Sequence, residues 1–170
     1  MMQPKWEPDV KVTSFGDMPC SIARSLDVIG PWWALLIIRD AFMGVRRFRD
    51  FEKSLGIAKN TLTSRLNDLT AGGILEKVPD PNGGKHFEYQ LTQKGLELFP
   101  VIVALSQWGD KWAVHPDGAS FEIIDTRDGK PIPQQMIHDR KGKPIPPEHL
   151  SQRAGPGTLA RRKRARDAGS

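Results

Sequence analysis

Hydrophobic residues recur at helical spacing near the start of the chain. The segment 21–29 places Ile22 and Leu26 on one face of a predicted helix, which Gly30 ends. The segment 32–42 (WWALLIIRDAF) is apolar almost all round. Such a pattern is typical of a helix buried in the middle of a small domain. The sequence therefore predicts a surface helix followed by a core helix.

Two short amphipathic helices follow. On each of them an apolar residue recurs every three or four positions, as a buried helical face requires. These positions are Phe48, Phe51 and Leu55 on the first helix, and Leu62, Leu66 and Leu69 on the second. Gly56 closes the first helix and Gly72 closes the second. With a turn at 56–58, the pattern predicts a helix-turn-helix.

A hairpin and a long apolar helix come next. The segments 74–79 and 86–92 alternate like two strands, and the glycine-rich loop between them predicts a wing. Thr92 is a good N-cap for a helix that runs to about Trp112. The apolar residues of this helix cover more of its circumference than one small core requires; they are Leu96, Phe99, Val103, Leu105, Trp108 and Trp112. The surplus predicts a partner. The alternative, compatible with the first, is that Trp108 and Trp112 pack on the first helix of their own subunit.

The last third has a different character. Residues 127–133 (RDGKPIP) recur thirteen residues later as 140–146 (RKGKPIP), each with a turn between short β-prone runs. We expect two consecutive hairpins. His115, His138 and His149 are scattered between these runs, so we expect no metal site and no cofactor.

These patterns predict an α+β fold that is mainly α. An N-terminal arm (1–17) precedes a winged helix-turn-helix domain with dimerisation helices (18–113). A small β-hairpin extension (114–152) and a basic tail (153–170), expected to be disordered, follow.

Composition excludes several classes of protein. A hydrophobic content of 38% suits one small domain, and no run of about 18 apolar residues predicts a membrane span. The N-terminus has no apolar signal region, so we expect a cytoplasmic protein. The single Cys20 allows no internal disulfide and no cysteine-rich zinc site. No converging nucleophile, base or phosphate loop is recognisable, so we do not expect an enzyme.

Charge is informative only when it is divided along the chain. Residues 151–170 carry six basic residues and one acidic residue, which accounts for the whole net charge of +5. The isoelectric point alone therefore does not indicate nucleic-acid binding by the folded part. Residues 44–65, however, carry six basic and two acidic residues. This local excess coincides with the predicted helix-turn-helix.

The second helix of that motif has a polar face suited to base edges and phosphates. Asn can bond adenine at two points, Thr can meet a thymine methyl, and Arg or Lys can reach guanine or the backbone. The alternative is an ordinary solvated helix face. A wing tip with Lys85 and His86 suits phosphate or minor-groove contact, or is an ordinary surface turn. The predicted DNA-binding residues are Arg46, Arg47, Lys59, Asn60, Thr61, Thr63, Ser64, Arg65, Lys85 and His86.

Several ordered blocks between residues 20 and 112 resemble the HxlR-type winged helix-turn-helix transcription regulators of bacteria, relatives of the MarR group. These blocks are CSIARSLDVIGPWWALLIIRD, RRFRDF, GIAKNTLTSRLNDL, GGILEK, FEYQLTQKG and WGDKW. The resemblance places the basic pair at Arg46-Arg47, the start of the recognition helix around Ala58 and the wing at 79–86. Ala58 stands where the family often has serine, so the usual capping hydroxyl is missing and Asn60 is an alternative cap.

The resemblance implies a homodimer that inserts one recognition helix per subunit into adjacent major grooves. Two-fold symmetry then predicts a palindromic operator with half-sites about 10 bp apart. The interface implied comprises Ile22, Leu26, Leu105, Trp108 and Trp112. Cys20 resembles the N-terminal cysteine with which some relatives sense oxidants or electrophiles; we favour the alternative, a small residue packed at the interface.

The function expected is a sequence-specific, double-stranded DNA-binding transcription regulator, more often a repressor in this family, associated with the nucleoid. Its expected partners are operator DNA and a second copy of itself, and an unidentified small-molecule effector remains open. The basic tail would add phosphate contacts without sequence preference. The alternatives are a winged-helix protein that contacts protein or RNA, and a redox-responsive regulator that uses Cys20.

Overall fold

The computed structural model describes residues 14, 18, 20–81, 87–119 and 122–168. Within them the helices are α1 (Ser21–Ile29), α2 (Trp32–Phe42), α3 (Phe48–Leu55), α4 (Lys59–Ala71), α5 (Gln93–Leu96), α6 (Phe99–Trp112) and α7 (Pro156–Asp167). The strands are β1 (Leu75–Pro79), β2 (Phe87–Leu91), β3 (Ile124–Asp125) and β4 (Lys130–Pro131), and a 3-10 turn spans Pro147–His149. Each strand pair forms a two-stranded antiparallel sheet. The predicted mainly helical α+β fold is confirmed.

Helix α2 lies at the centre of the domain. It contacts α1, α3, α4, α6 and β2, and its Ile37 and Ile38 are completely buried. The core around it is built from the inward faces predicted by the helical spacing. Its largest fully buried apolar side chains are Ile37, Ile38, Phe51, Leu62, Leu66, Leu69, Ile74 and Leu75.

The turn of the helix-turn-helix depends on Gly56. Its φ of +60° is a left-handed conformation that favours glycine, and its N–H donates to the Glu52 carbonyl at 3.0 Å. Ala58 is extended and forms the N-cap of α4 without a side-chain hydrogen bond. Asn60 lies inside the first turn of α4, so the suggestion that Asn60 caps this helix is wrong. The Ala58 carbonyl already accepts the Leu62 N–H at 2.9 Å, so the helix starts two residues earlier than it would with Asn60 as its cap.

The predicted wing strands are confirmed with slightly shorter ends. Their register runs from Leu75 opposite Leu91 to Pro79 opposite Phe87. The N–H of Tyr89 donates to the Arg46 carbonyl at 2.8 Å, which attaches β2 to the connection between α2 and α3. The hairpin is thus joined to the helix-turn-helix through its backbone.

The long helix predicted after Thr92 is two helices. Thr92 caps α5, with its hydroxyl oxygen accepting the Gly95 N–H at 3.1 Å. The chain then restarts as α6, because Pro100 near the start of α6 has no N–H to continue the earlier helix. Gly95 is required where α5 crosses the hairpin, since a Cβ there would lie 2.3 Å from the Ile74 carbonyl oxygen.

The C-terminal extension forms one regular hairpin and one minimal one. Strands β3 and β4 pair as predicted from the first repeat. The second repeat forms a single bridge between His138 and Pro144. The extension is fixed to α6 by the Gln107 side chain, whose amide donates to the Pro133 carbonyl at 3.0 Å and accepts the Gln135 N–H at 2.7 Å.

The tail expected to be disordered contains helix α7. This expectation is wrong because the segment consists largely of Arg, Lys, Ala and Leu, which favour helix, with Pro156 at its first position. No residue of α7 is buried. The helix therefore rests on local propensity, without packing of an apolar face.

No single helix in the described part of the chain is long and apolar enough to cross a membrane. Helices α1 and α2 together pass that test of length and composition, but they are bent by 74° relative to each other. The core helix of a soluble protein passes the same test, so the pair is weak support for a span.

The core packing gives a first prediction. Leu66→Ala removes a fully buried side chain between α4 and α2 and should lower the free energy of unfolding by about 2–5 kcal/mol. Urea denaturation followed by circular dichroism measures the change. The neighbouring exposed Asn67, replaced by Ala, should change it by less than about 0.5 kcal/mol. Equal effects of the two substitutions would contradict the packing described.

Candidate nucleic-acid interface

Helix α4 has one buried and one polar face. Leu62, Leu66 and Leu69 are completely buried, which fixes the rotation of the helix about its axis. The opposite face therefore points away from the core. Its exposed residues are Lys59, Asn60, Thr63 and Ser64, and Thr61 and Arg65 are half-buried. Six of the ten predicted DNA-binding residues thus lie on this one helix.

Arg65 is engaged along its own helix. Its Nη1 lies 3.0 Å from Oδ2 of Asp68, one turn further on. Both residues line an open cavity of about 280 Å³ between α1, α2 and the end of α4. The Arg65 guanidinium is therefore partly neutralised, whereas Lys59 has no ion pair among the described residues.

Arg46 and Arg47 lie between α2 and the wing. The Arg46 side chain is half-buried, and its carbonyl accepts the β2 hydrogen bond already described. The Arg47 guanidinium lies between two carboxylates of the wing, with Nη2 2.8 Å from Asp80 Oδ2 and Nε 3.3 Å from Glu88 Oε1. The pairing of Arg47 with Asp80 and Glu88 was not predicted from the sequence. Acidic residues on both sides of the wing loop were the signal that could have found it.

The strands of the wing carry a small aromatic cluster. The Lys77 ammonium lies 4.7 Å from the centre of the Phe87 ring, and the Phe87 and Tyr89 rings meet edge to face at 5.4 Å. Burial raises the pKa of Tyr89 above its ordinary value, since the phenolate would lose its hydration. Lys85 and His86, predicted at the wing tip, lie outside the described residues.

Helix α2 also carries a buried carboxylate that was not predicted from the sequence. Asp40 is 2% exposed, and its Oδ1 accepts hydrogen bonds from Arg39 Nε and Nη2 at 2.9 and 2.8 Å. Its Oδ2 is buried without a hydrogen-bond partner among the described residues. The apolar pattern of 32–42 concealed this pair because a single Arg-Asp step does not disturb it.

The residues predicted for a dimer interface lie on the surface of the monomer. Trp108 and Trp112 are 59% and 66% exposed, so most of each residue is not covered by its own subunit. With Val101 and Leu105 they form a continuous exposed row on one side of α6. We call these four residues the α6 stripe. On α1, Ile22 and Leu26 are also exposed.

Two further residue predictions concern Cys20 and metal ligands. Cys20 is exposed, lies at the N-cap position of α1 and makes no side-chain capping hydrogen bond. Among the residues that the structure describes, no group of three or more His, Cys, Asp or Glu side chains is arranged to hold a metal ion.

The helix-turn-helix, with the exposed polar face of α4, and the adjoining wing strands together define a winged helix-turn-helix protein. Residues 28–117 match the HxlR-like helix-turn-helix family, and the chain belongs to that family. The resemblance seen in the sequence is thereby confirmed.

The relatives agree with this assignment. The uncharacterized HTH-type transcriptional regulator Rv3095 of Mycobacterium tuberculosis is 43% identical over 103 residues, which are 61% of this chain. The match spans 65% of that protein's length, and the same holds for its Mycobacterium bovis counterpart Mb3122. The YdeP regulator of Bacillus subtilis is 31% identical over 94 residues, 55% of this chain and 73% of its own length. These relatives are named as transcriptional regulators and not as enzymes.

Two solved structures extend the comparison beyond the winged helix. The crystal structure of PA1607, described as a candidate transcription factor, is 41% identical with a TM-score of 0.79. The match covers 84% of this chain and 100% of that one. The candidate transcription factor PA1374 from Pseudomonas aeruginosa is 38% identical with a TM-score of 0.57, over 81% and 93% of the two chains.

Proposed function

We propose that the protein is a transcription regulator that binds a palindromic operator in double-stranded DNA as a homodimer. The observation that carries this proposal is that α4 is amphipathic, with one buried apolar face and one exposed polar face. Its leucine face is completely buried, and its opposite face exposes short donors, acceptors and a cation next to the helix N-terminus. The major groove admits one α-helix, and its base edges are read by such side chains.

Within this function the residues of α4 have different roles. Asn60 is suited to bidentate contact with adenine, and Thr61, Thr63 and Ser64 are suited to thymine methyls or phosphates. Lys59, which lacks an ion pair in the described part of the chain, is suited to a backbone phosphate. Arg46 and Arg65 belong to the same proposed surface as flanking cations, and the proposal extends to Lys85 and His86 of the wing loop.

The homodimer rests on the α6 stripe and the exposed apolar residues of α1. Two adjacent exposed tryptophans are rare on a monomer unless they mark an interface. A second copy of the chain can cover the same row on both subunits under two-fold symmetry. Such a dimer presents two α4 helices to successive major grooves. We further propose that the regulator is a repressor, as members of this family more often are, and that it acts in the cytoplasm at the nucleoid.

Helix α7 contributes to affinity in this proposal. Its five basic side chains are exposed and its only acidic residue is the last one. Contacts of such a helix go to phosphates and carry no sequence information. It should therefore strengthen binding to every duplex alike.

A first test compares single substitutions on α4. Asn60→Ala should cost about 1–3 kcal/mol of operator binding and relax the preference at one base position, because a base contact is lost. Lys59→Ala should weaken binding to all sequences and lower the salt slope by about 0.9, because a phosphate contact is lost. Fluorescence anisotropy over a salt series, on duplexes selected from genomic fragments, measures both. Lys141→Ala, in the C-terminal extension, is the control; an equal loss there would contradict the assignment of the surface.

A second test concerns the dimer. Trp108→Glu puts a charge into the α6 stripe and should convert the dimer into a monomer in sedimentation velocity, with loss of operator binding. Met136→Glu replaces an exposed apolar residue outside the stripe and should leave the dimer intact. A wild-type protein that sediments as a monomer at micromolar concentration would remove the basis of the proposal.

A third test separates α7 from the winged helix. Replacing Arg161, Arg162 and Arg164 by Gln should reduce the salt slope by up to about 0.9 per arginine and weaken all duplexes equally. The ratio of operator to scrambled-duplex affinity should stay unchanged. A fall in that ratio would show that α7 reads sequence, contrary to the role proposed for it.

A further inference from the structure

The guanidinium of Arg47 pairs with carboxylates on both sides of the wing, close to the loop that joins its strands. Arg47 donates from Nη2 to Asp80 and is paired through Nε with Glu88. Asp80 directly follows β1, and Glu88 is the second residue of β2, opposite Val78. Arg47 thus holds both legs of the hairpin at the point where the wing loop leaves the sheet.

The carboxylates of Asp80 and Glu88 share the positive charge of Arg47. The side chains of Asp80 and Glu88 are only 8% and 13% exposed. Removal of the guanidinium would take from two poorly hydrated carboxylates the opposite charge that they share, and a loss of compensation is costly for buried charges. The planar fork of arginine can serve two carboxylates through different nitrogens, whereas a lysine ammonium is a single point charge.

The same geometry makes Arg47 a poor phosphate ligand. Its guanidinium is already engaged by two carboxylates, through Nη2 and through Nε. Arg49, two residues further on, is exposed and has no ion pair among the described residues. The charge pattern of the sequence treated these arginines alike, and the structure separates them.

The inner part of the hairpin has other contacts: β1 contacts α4, and Leu75 at the start of β1 is buried. The Tyr89 N–H reaches the Arg46 carbonyl, and the Phe51 and Tyr89 rings meet nearly at right angles, with centres 6.4 Å apart. A two-stranded hairpin is marginal without support, so the direction of its tip depends on how both strands are anchored. The Arg47 pair reaches the end of β1 as well as β2.

We propose that Arg47 is a positioning residue that sets the direction of the wing relative to α4, and is not itself a DNA ligand. Through this contact it determines where the wing meets the duplex beside the groove that α4 enters. The second part of the inference rests on the proposed function; the first part concerns the free protein alone.

The first experiment uses the free, full-length protein. Amide hydrogen exchange in β1 and β2 should be about two- to five-fold faster in Arg47→Ala than in wild type, the range expected for a partly exposed ion pair. Amides of the core helix α2 should be unchanged, which separates loosening of the wing from global unfolding. Arg49→Ala is the matched control and should equal wild type. If the hairpin amides exchange alike in Arg47→Ala and Arg49→Ala, the proposal that Arg47 positions the wing is rejected.

Two more variants keep the test decisive if Arg47→Ala folds poorly. Arg47→Lys keeps the charge but not the fork, so it should still show faster exchange in the hairpin. Glu88→Gln should also loosen the hairpin, and its effect combined with Arg47→Lys should be smaller than the sum of the two. Wild-type exchange rates in Arg47→Lys would overturn the positioning role. Strictly additive effects of Arg47→Lys and Glu88→Gln on exchange in the hairpin would overturn it as well.

The second experiment measures DNA binding over a salt series. Arg47→Ala should lower operator affinity while the salt slope stays at the wild-type value, in contrast to Lys59→Ala. A slope reduced by about 0.9 in Arg47→Ala would show a phosphate contact and overturn the positioning role. If wild type shows no sequence-selective binding, the proposed function fails. The hydrogen-exchange result on the free protein still decides whether Arg47 positions the wing.

Discussion

Burial of α2 beneath its neighbours is the contact on which the rest of the structure depends. Ile37 and Ile38 are completely buried, and α2 contacts α3, α4, α6 and the hairpin, so each of these elements is placed by its packing against the same short helix. Close packing leaves little room for α4 to rotate, because three of its leucines are also fully buried. The polar face of α4 is exposed as a direct result. The position of this polar face is thus a consequence of core packing, not of an independent preference of its polar residues.

Much of this architecture could be predicted from periodicity. The spacing of Leu62, Leu66 and Leu69 identifies the buried face of α4, and the alternation around the wing loop identifies two strands. Both signals are local and repeat over several residues, so they survive without knowledge of the partner elements. The exposed row on α6 was recognised in the same way, since its apolar residues exceed what one core can cover.

Other features depend on single residues or on distant partners, and periodicity does not record them. Pro100 divides one long apolar pattern into two helices because it lacks an N–H. Helix α7 has no apolar face, so its sequence lacked the pattern by which the other helices were recognised. The pairing of Arg47 joins residues more than thirty positions apart. A count of basic residues gave Arg47 the same weight as Lys59, although only one of them has two carboxylates beside it.

Helix α6 has neighbours on two sides and an exposed apolar row on a third. Ile102 and Val103 face the core, Gln107 holds the C-terminal extension, and the stripe that contains Leu105 and Trp108 faces outward. An ordinary surface helix has one side on which most side chains are accepted, and those positions absorb sequence change. In the homodimer proposed above the stripe is covered as well, so α6 has fewer such positions. Its sequence should then drift more slowly than its surface location suggests, because a change in the stripe would reach the second subunit.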